Sequence, residues 1–225
     1  MTITLIFMAG VMGVIVWWLV KQTINVQPWV ADGVDAALLT DVDAEEVLLR
    51  PRAKSGLLAF LAVVTSMFCL FMSAYAMRMS LGDWTPLPEP DVLWLNTGLL
   101  VLSSVSLQWA LHSAKHGRGA SLRLGLYVAG ALSIAFIFGQ LFAWQQLVQD
   151  GYYLSSNPAN TFFYLFTALH GLHLLGGLVA WIRAAFRVWN GVEAAQVRLS
   201  VELCAVYWHF LLIVWLVLFG LMLST

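Results

Sequence analysis

Apolar residues recur along this chain in six runs, each about as long as a membrane is thick. A transmembrane helix needs about 20 consecutive, mostly apolar residues. The runs that meet or nearly meet this length are 3–20, 56–79, 92–112, 122–148, 161–182 and 201–223. The pattern predicts an all-α integral membrane protein with six transmembrane helices.

Three domains follow from the spacing of these runs. Residues 1–20 are predicted to form a retained N-terminal transmembrane helix, because no small-residue cleavage site of a signal peptide follows them. Residues 21–55 form an acidic cytoplasmic linker, either a short amphipathic helix against the membrane or a flexible segment. Residues 56–225 are predicted to form a compact five-helix bundle.

Composition agrees with a membrane protein and excludes several other classes. Hydrophobic residues make up 61% of the chain and charged residues 10%, against about 25% charged residues in soluble domains. The net charge of −1 gives no support for nucleic-acid binding. Cys69 and Cys204 lie in separate apolar runs and are predicted to be small core residues, not a disulfide or redox pair.

The basic residues predict the orientation in the membrane. Of the eleven lysines and arginines, all but Arg78 lie in or beside the loops that follow the first, third and fifth runs. Loops rich in lysine and arginine stay on the cytoplasmic side. We therefore predict a multi-pass protein of the cell inner (plasma) membrane with both termini on the outer (periplasmic) side.

Four polar side chains lie inside the last two runs, where such groups are costly and usually face a protein interior. They are His170, His173, Glu202 and His209. A loop of moderate length joins these runs, so the helices should be antiparallel neighbours, with His173 and His209 both roughly 12–14 Å from the cytoplasmic edge. We predict that the four side chains form one structural polar seam. The alternative is that a backbone carbonyl or a hydroxyl satisfies each of them separately.

The same residues give little support for other chemistry. His170 and His173 share one helix face, but no carboxylate or thiolate stands at a similar depth to complete a metal site. We therefore expect no metal, no cofactor and no catalytic residue in this chain, and the Gly-x-Ser-x-Gly turn of a serine hydrolase is absent. Gly171, Gly176 and Gly177 could loosen a transporter helix, but we expect them to allow close helix approach.

These polar segments resemble subunit III of the haem–copper respiratory oxidases. The family's penultimate span carries His-Gly-x-His-x-x-x-Gly, and its last span carries Glu-x-x-x-x-Tyr-Trp-His-Phe followed by a tryptophan. The matching residues are His170, Gly171, His173, Gly176, Glu202, Tyr207, Trp208, His209, Phe210 and Trp215. Weaker matches lie at 95–97, 103–104, 109–110, Gln140 and Trp144. The resemblance covers about 54–223.

Three carboxylates of the family pattern are missing. Val64, Ala143 and Leu212 stand at their positions, which identifies a diverged member of the family. A role of the first carboxylate in oxygen or proton entry is therefore not expected here.

The resemblance implies a non-catalytic subunit III of a terminal respiratory oxidase, which reduces oxygen and translocates protons. Haem and copper would belong to partner subunits. The chain would contact subunit I mainly, together with subunit II and small subunits, and would bind membrane phospholipid. Cytochrome c and quinol both remain open as electron donors. The alternatives are an accessory subunit of a nitric oxide reductase, which shares these motifs, and a stand-alone membrane transporter.

Overall fold

Helices make up the regular structure of the described residues. The computed structural model describes residues 41–88 and 90–224, together with Gly13 and Trp17. The helices are α1 (Asp41–Arg78), α2 (Val92–Lys115), α3 (Gly119–Gln149), α4 (Pro158–Trp189) and α5 (Ala194–Leu223). Each contains a stretch long and apolar enough to cross a membrane. The all-α class and five predicted spans are confirmed, whereas the predicted helix 3–20 lies outside the described residues, Gly13 and Trp17 excepted.

The first described helix begins earlier than the predicted span. α1 starts at Asp41 and continues without a break past the predicted boundary at residue 55, and its membrane-length part is Ala53–Arg78. Part of the predicted acidic linker is therefore helical. Residues 21–40 of that linker lie outside the described part of the chain.

The described residues 71–88 and 90–224 form one compact unit, in which short turns set consecutive helices side by side. Residues 116–118 join α2 to α3, and 190–193 join α4 to α5. Gly117 and Gly191 have φ values of +66° and +79°, a region that glycine enters without steric cost. At the start of α4, Asn157 accepts a hydrogen bond from the backbone N–H of Ala159, an N-cap that fixes where this helix begins.

α5 is the most enclosed helix of this unit. In its apolar stretch 56% of the residues are buried, against 33–39% in α2, α3 and α4. α2 packs against α3 and α5, and α4 packs against the same two helices. Because more of α5 is buried than of the other helices of the unit, its side chains are well placed to make contacts between helices.

Candidate functional site

Three consecutive residues of α5 reach three different helices. The Tyr207 hydroxyl donates to the backbone carbonyl of His173 on α4 at 2.9 Å, and Trp208 Nε1 donates to Ser133 Oγ on α3 at 2.9 Å. His209 Nδ1 is hydrogen-bonded to Ser104 Oγ on α2. Successive residues of an α-helix are about 100° apart, so three successive side chains of α5 point in three different directions.

Further hydrogen bonds extend this arrangement toward the C-terminal end of α5 and between α2 and α3. Trp215, about two turns after Trp208, donates through Nε1 to Thr97 Oγ1 on α2 at 2.9 Å. Around Trp208, Ser133 Oγ lies 2.8 Å from Ser103 Oγ, and Ser103 donates to the Ala129 carbonyl at 2.9 Å. Buried polar groups that are fully paired hold helices in one arrangement. The motif of the last span therefore joins α5 to α2, α3 and α4.

Glycines make room for these large side chains, although not at every expected position. A Cβ atom at Gly177 would lie 2.6 Å from the Tyr207 ring and 3.1 Å from the Trp208 ring. A Cβ atom added at Gly171 or at Gly176 would have open space around it, with no atom of the described residues within 4 Å. The expected close approach of another helix is therefore found at Gly177. Within this chain it is wrong for Gly171, which is half-buried, and for Gly176, which is exposed.

His170 behaves differently from the other motif residues. Its ring is fully buried, and neither ring nitrogen has a hydrogen-bond partner among the residues that the structure describes. The ring centroid lies 5.2 Å from that of Trp215 and 5.8 Å from that of Phe136. His170 is thus packed as an aromatic side chain between α3 and α5.

Hydrogen-bond partners are seen for two residues of the predicted polar seam, His173 and His209, and the two differ. His173 Nδ1 is hydrogen-bonded to the Leu169 carbonyl of its own helix at 2.7 Å, whereas His209 bonds to α2. Glu202 is half-buried near the start of α5. The partner of His173 is a carbonyl and that of His209 is a hydroxyl. These are the partners expected if each side chain is satisfied separately. A joint seam of His170, His173, Glu202 and His209 stays a prediction.

Two of the three positions that lack a family carboxylate are buried. Val64 is 3% exposed on α1, and Ala143 is fully buried on α3, while Leu212 on α5 is partly exposed. A carboxylate at Ala143 would need a partner inside the unit. Within 41–88 and 90–224, no group of three or more histidine, cysteine, aspartate or glutamate side chains is placed to hold a metal ion.

Several partners of the motif residues were not singled out from the sequence. Ser133, Phe136 and Gln108 are separated from α5 by about 70 to 100 residues along the chain. Gln108 gives one usable signal, because it follows Ser104 by one helical turn inside an apolar run. Ser133 gives none, since small hydroxyl residues are frequent in transmembrane helices.

Comparisons with known proteins identify a family that this chain resembles. The model of the family described as "Cytochrome c oxidase subunit III" matches residues 2–224. A probable cytochrome c oxidase subunit 3 of Mycobacterium tuberculosis is 32% identical over 157 residues, which cover 68% of this chain and 76% of the relative. The corresponding protein of Nocardia farcinica is 32% identical over 62% of this chain and 70% of its own length. Cytochrome c oxidase subunit 3 of Thermostichus vulcanus is 28% identical over 74% of this chain and 84% of its own length.

Proposed function

The chain belongs to the cytochrome c oxidase subunit III family, and we propose that it stabilises the catalytic subunit I of a terminal respiratory oxidase without catalysing the reaction itself. Membership makes it a multi-pass membrane subunit of a haem–copper oxidase complex. The observation that carries the proposal is that the motif residues of α5 form hydrogen bonds to neighbouring helices. Tyr207, Trp208 and His209 are engaged in hydrogen bonds to α4, α3 and α2, which makes them structural groups.

A rigid bundle with apolar outer faces suits a stabilising subunit. About two thirds of the apolar stretches of α2 and α4 are not buried within the chain, and large apolar side chains such as Leu102, Phe138 and Leu172 are more than half exposed. Acyl chains or partner helices must cover these faces in the membrane. Because the bundle fixes its own helices, it offers partner subunits a preformed surface and saves ordering entropy on assembly.

Phospholipid binding is the second part of the proposal. The rings of Tyr127 and Trp189 lie 6.2 Å apart at one end of α3 and α4, where amphipathic rings favour the membrane interface. The exposed Arg187 is in the last turn of α4 and supplies a positive charge for a lipid phosphate. This combination favours an anionic phospholipid at that end of the bundle.

The remaining parts of the proposal rest on the family and on the charge pattern. Haem and copper reside in partner subunits, of which subunit I is the main contact. Subunit II and small subunits complete the complex. The membrane is the cell inner membrane, and the basic loops predict that both termini face the periplasm.

Purification through a tag on this chain tests the proposal. In mild detergent we expect a haem-bearing large subunit to co-purify, with the visible spectrum of an oxidase and with oxygen uptake. Nitric oxide reduction by the co-purified subunit would instead select the accessory subunit of a nitric oxide reductase. A colourless chain that purifies alone would overturn the proposal and favour the transporter.

The lipid part has its own measurement. Mass spectrometry of the purified complex should detect phospholipid retained through washing, and replacement of Arg187 by Ala should reduce the retained amount. Replacement of Gln145, an exposed residue near the opposite end of α3, serves as the control. Equal retention in all three samples would contradict the assigned lipid position.

A further inference from the structure

Two histidines lie about one helical turn apart where α2 ends. His112 is in the last turn of α2, and His116 is the residue that caps its C-terminal end. Both side chains are exposed, and their ring centroids lie 4.3 Å apart with the ring planes tilted by 41°. Residues four apart occupy the same face of a helix. The two imidazoles are therefore neighbours on the surface, outside the buried hydrogen bonds of the bundle.

A backbone hydrogen bond fixes the orientation of the His116 ring. His116 Nδ1 lies 2.8 Å from the carbonyl oxygen of His112. A carbonyl can only accept, so Nδ1 carries the proton of the neutral imidazole and Nε2 keeps its lone pair. Metal-binding histidines commonly have this arrangement, in which one ring nitrogen donates to a carbonyl and the other binds the ion. The neutral His116 ring is thus in the tautomer that a metal ligand needs.

The separation of the two rings suits a shared metal ion. Nitrogen ligands lie about 2.0–2.1 Å from a tetrahedral Zn²⁺, which places the centroids of two bound imidazoles about 5 Å apart. The 4.3 Å between the His112 and His116 rings is close to this separation, so small rotations of the exposed side chains can bring both nitrogens to the ion. Histidines at this spacing on one helix face are also the ligand pair of the zinc-binding His-Glu-x-x-His motif.

The charges beside the pair favour an ion that binds through nitrogen. Lys115 and Arg118 are exposed neighbours of the pair in the chain, and their positive charges oppose a hard cation held by charge alone. Their repulsion is limited, because salt screens exposed charges beyond about 8 Å at physiological ionic strength. Imidazole nitrogen suits Zn²⁺, Cu²⁺ and Ni²⁺, whereas Mg²⁺ and Ca²⁺ prefer oxygen ligands.

We propose that His112 and His116 form a two-histidine surface site for a divalent transition-metal ion such as Zn²⁺. No third histidine, cysteine, aspartate or glutamate within 41–88 and 90–224 completes the site, so water occupies the remaining coordination positions. The bound ion links two successive turns at the end of α2. The site departs from the expectation that the chain holds no metal, which rests on the interior residues His170 and His173. It does not depend on the proposed function.

Equilibrium dialysis of the purified complex against Zn²⁺ tests the site. The wild-type complex, prepared without a histidine tag, should bind one ion more per copy of this chain than the complex with His112→Ala. Loss of an outer-shell partner alone lowers metal affinity about 10–100-fold, so loss of one of two direct ligands should lower the affinity for that ion by about ten-fold or more. Equal binding by the two complexes would overturn the proposal.

Two substitutions at His116 separate metal binding from the structure of the helix end. Asn keeps a side-chain N–H that can donate to the His112 carbonyl, as Nδ1 does, but it has no counterpart of Nε2. His116→Asn should therefore lose the ion and keep the melting temperature of the metal-free complex. His116→Ala should lose both the ion and the hydrogen bond. Zn²⁺ binding by His116→Asn at the wild-type affinity would show that His116 is not a ligand.

Competition with Mg²⁺ tests the chemistry of the site. An excess of Mg²⁺ should leave the Zn²⁺ bound by the wild-type complex in place, because imidazole is a poor ligand for Mg²⁺. Displacement of the ion that His112→Ala fails to bind would show that charge alone holds it, and the proposed site would be wrong.

Discussion

The two motif-bearing helices, α4 and α5, use similar residues for different purposes. In α5 the side chains of Tyr207, Trp208 and His209 reach across to three neighbouring helices. In α4 the motif region supplies a backbone carbonyl at His173 and an empty space at Gly177. A motif in one membrane span can therefore supply the side chains that form hydrogen bonds between helices. A glycine-rich motif in the next span can supply the space that those side chains occupy.

The largest effect should follow when the room at Gly177 is filled. Gly177→Leu would drive a side chain into Tyr207 and Trp208, both buried rings held by hydrogen bonds. Overpacking of a close-packed interior typically costs about 1–3 kcal/mol and can cost more. We expect a marked loss of folded chain and of assembled complex, measured by thermal unfolding in detergent and by the yield of co-purified haem.

Gly176→Leu is a closely matched control, because it makes the same change one residue earlier in the same helix. A Cβ at Gly176 meets no atom within 4 Å. The isolated chain should therefore melt at nearly the wild-type temperature. Equal damage from both substitutions would break the comparison, since it would show that the α4 glycines act through helix flexibility.

Two histidine substitutions should differ in their effect on the free energy of unfolding. His209→Leu removes the partner of Ser104 and Gln108 and should lower the free energy of unfolding by about 1–2 kcal/mol. His170→Phe keeps an aromatic ring beside Phe136 and Trp215 and removes two unpaired buried nitrogens. We expect it to be neutral or to stabilise the chain by about 1 kcal/mol.

The haem spectrum of the remaining complex provides the control for both variants. It should be unchanged in shape, because neither histidine is proposed to bind a cofactor. A large loss of stability in His170→Phe would show that His170 has a polar partner in the assembled protein. In that case the contrast between α4 and α5 would not hold for the complex.

Much of the fold could be predicted from the sequence, because a transmembrane helix can be recognised from its length and hydropathy. The membrane-length parts of the five described helices begin and end within about seven residues of the predicted runs, and among them α4 differs most, because it runs from Pro158 to Trp189 and not from 161 to 182. The whole of α1 begins earlier still, at Asp41. Helix ends of this kind depend on caps and on backbone bonds such as that at Asn157. Hydropathy does not report these contacts.

The site was less predictable because its contacts join residues far apart in the chain. Depth alone suggested that His173 and His209 share a seam, since both lie at a similar level of antiparallel helices. Rotation about the helix axis decides the partner, and it turns His209 toward Ser104 on α2. Motif residues could thus be named from the sequence, whereas their partners required the arrangement of all four helices.

The smallest effect should come from an ion pair outside the bundle core. Arg78, the last residue of α1, forms a bidentate pair with Asp83 in the loop that follows, and the hydrogen bond from Arg78 holds the pKa of Asp83 below its ordinary value. A carboxyl whose pKa is lowered by folding stabilises the protein above its unfolded-state pKa and loses that contribution as the pH falls through the lowered value. The stability that this pair contributes should therefore be constant near neutral pH and disappear only in strong acid.

Asp83→Asn should accordingly lower the melting temperature slightly at neutral pH and not at all in strong acid, where the wild-type carboxyl is protonated too. Exposed ion pairs contribute little because solvent and salt screen them, so the shift should be smaller than that of His209→Leu and should shrink further in high salt. Thermal unfolding of both variants across a pH series measures this. Directly beside the ion pair, Trp84 packs on Tyr75 with ring centroids 4.9 Å apart. If Asp83→Asn were as damaging as His209→Leu, the loop after α1 would therefore matter to stability as much as the α4–α5 core.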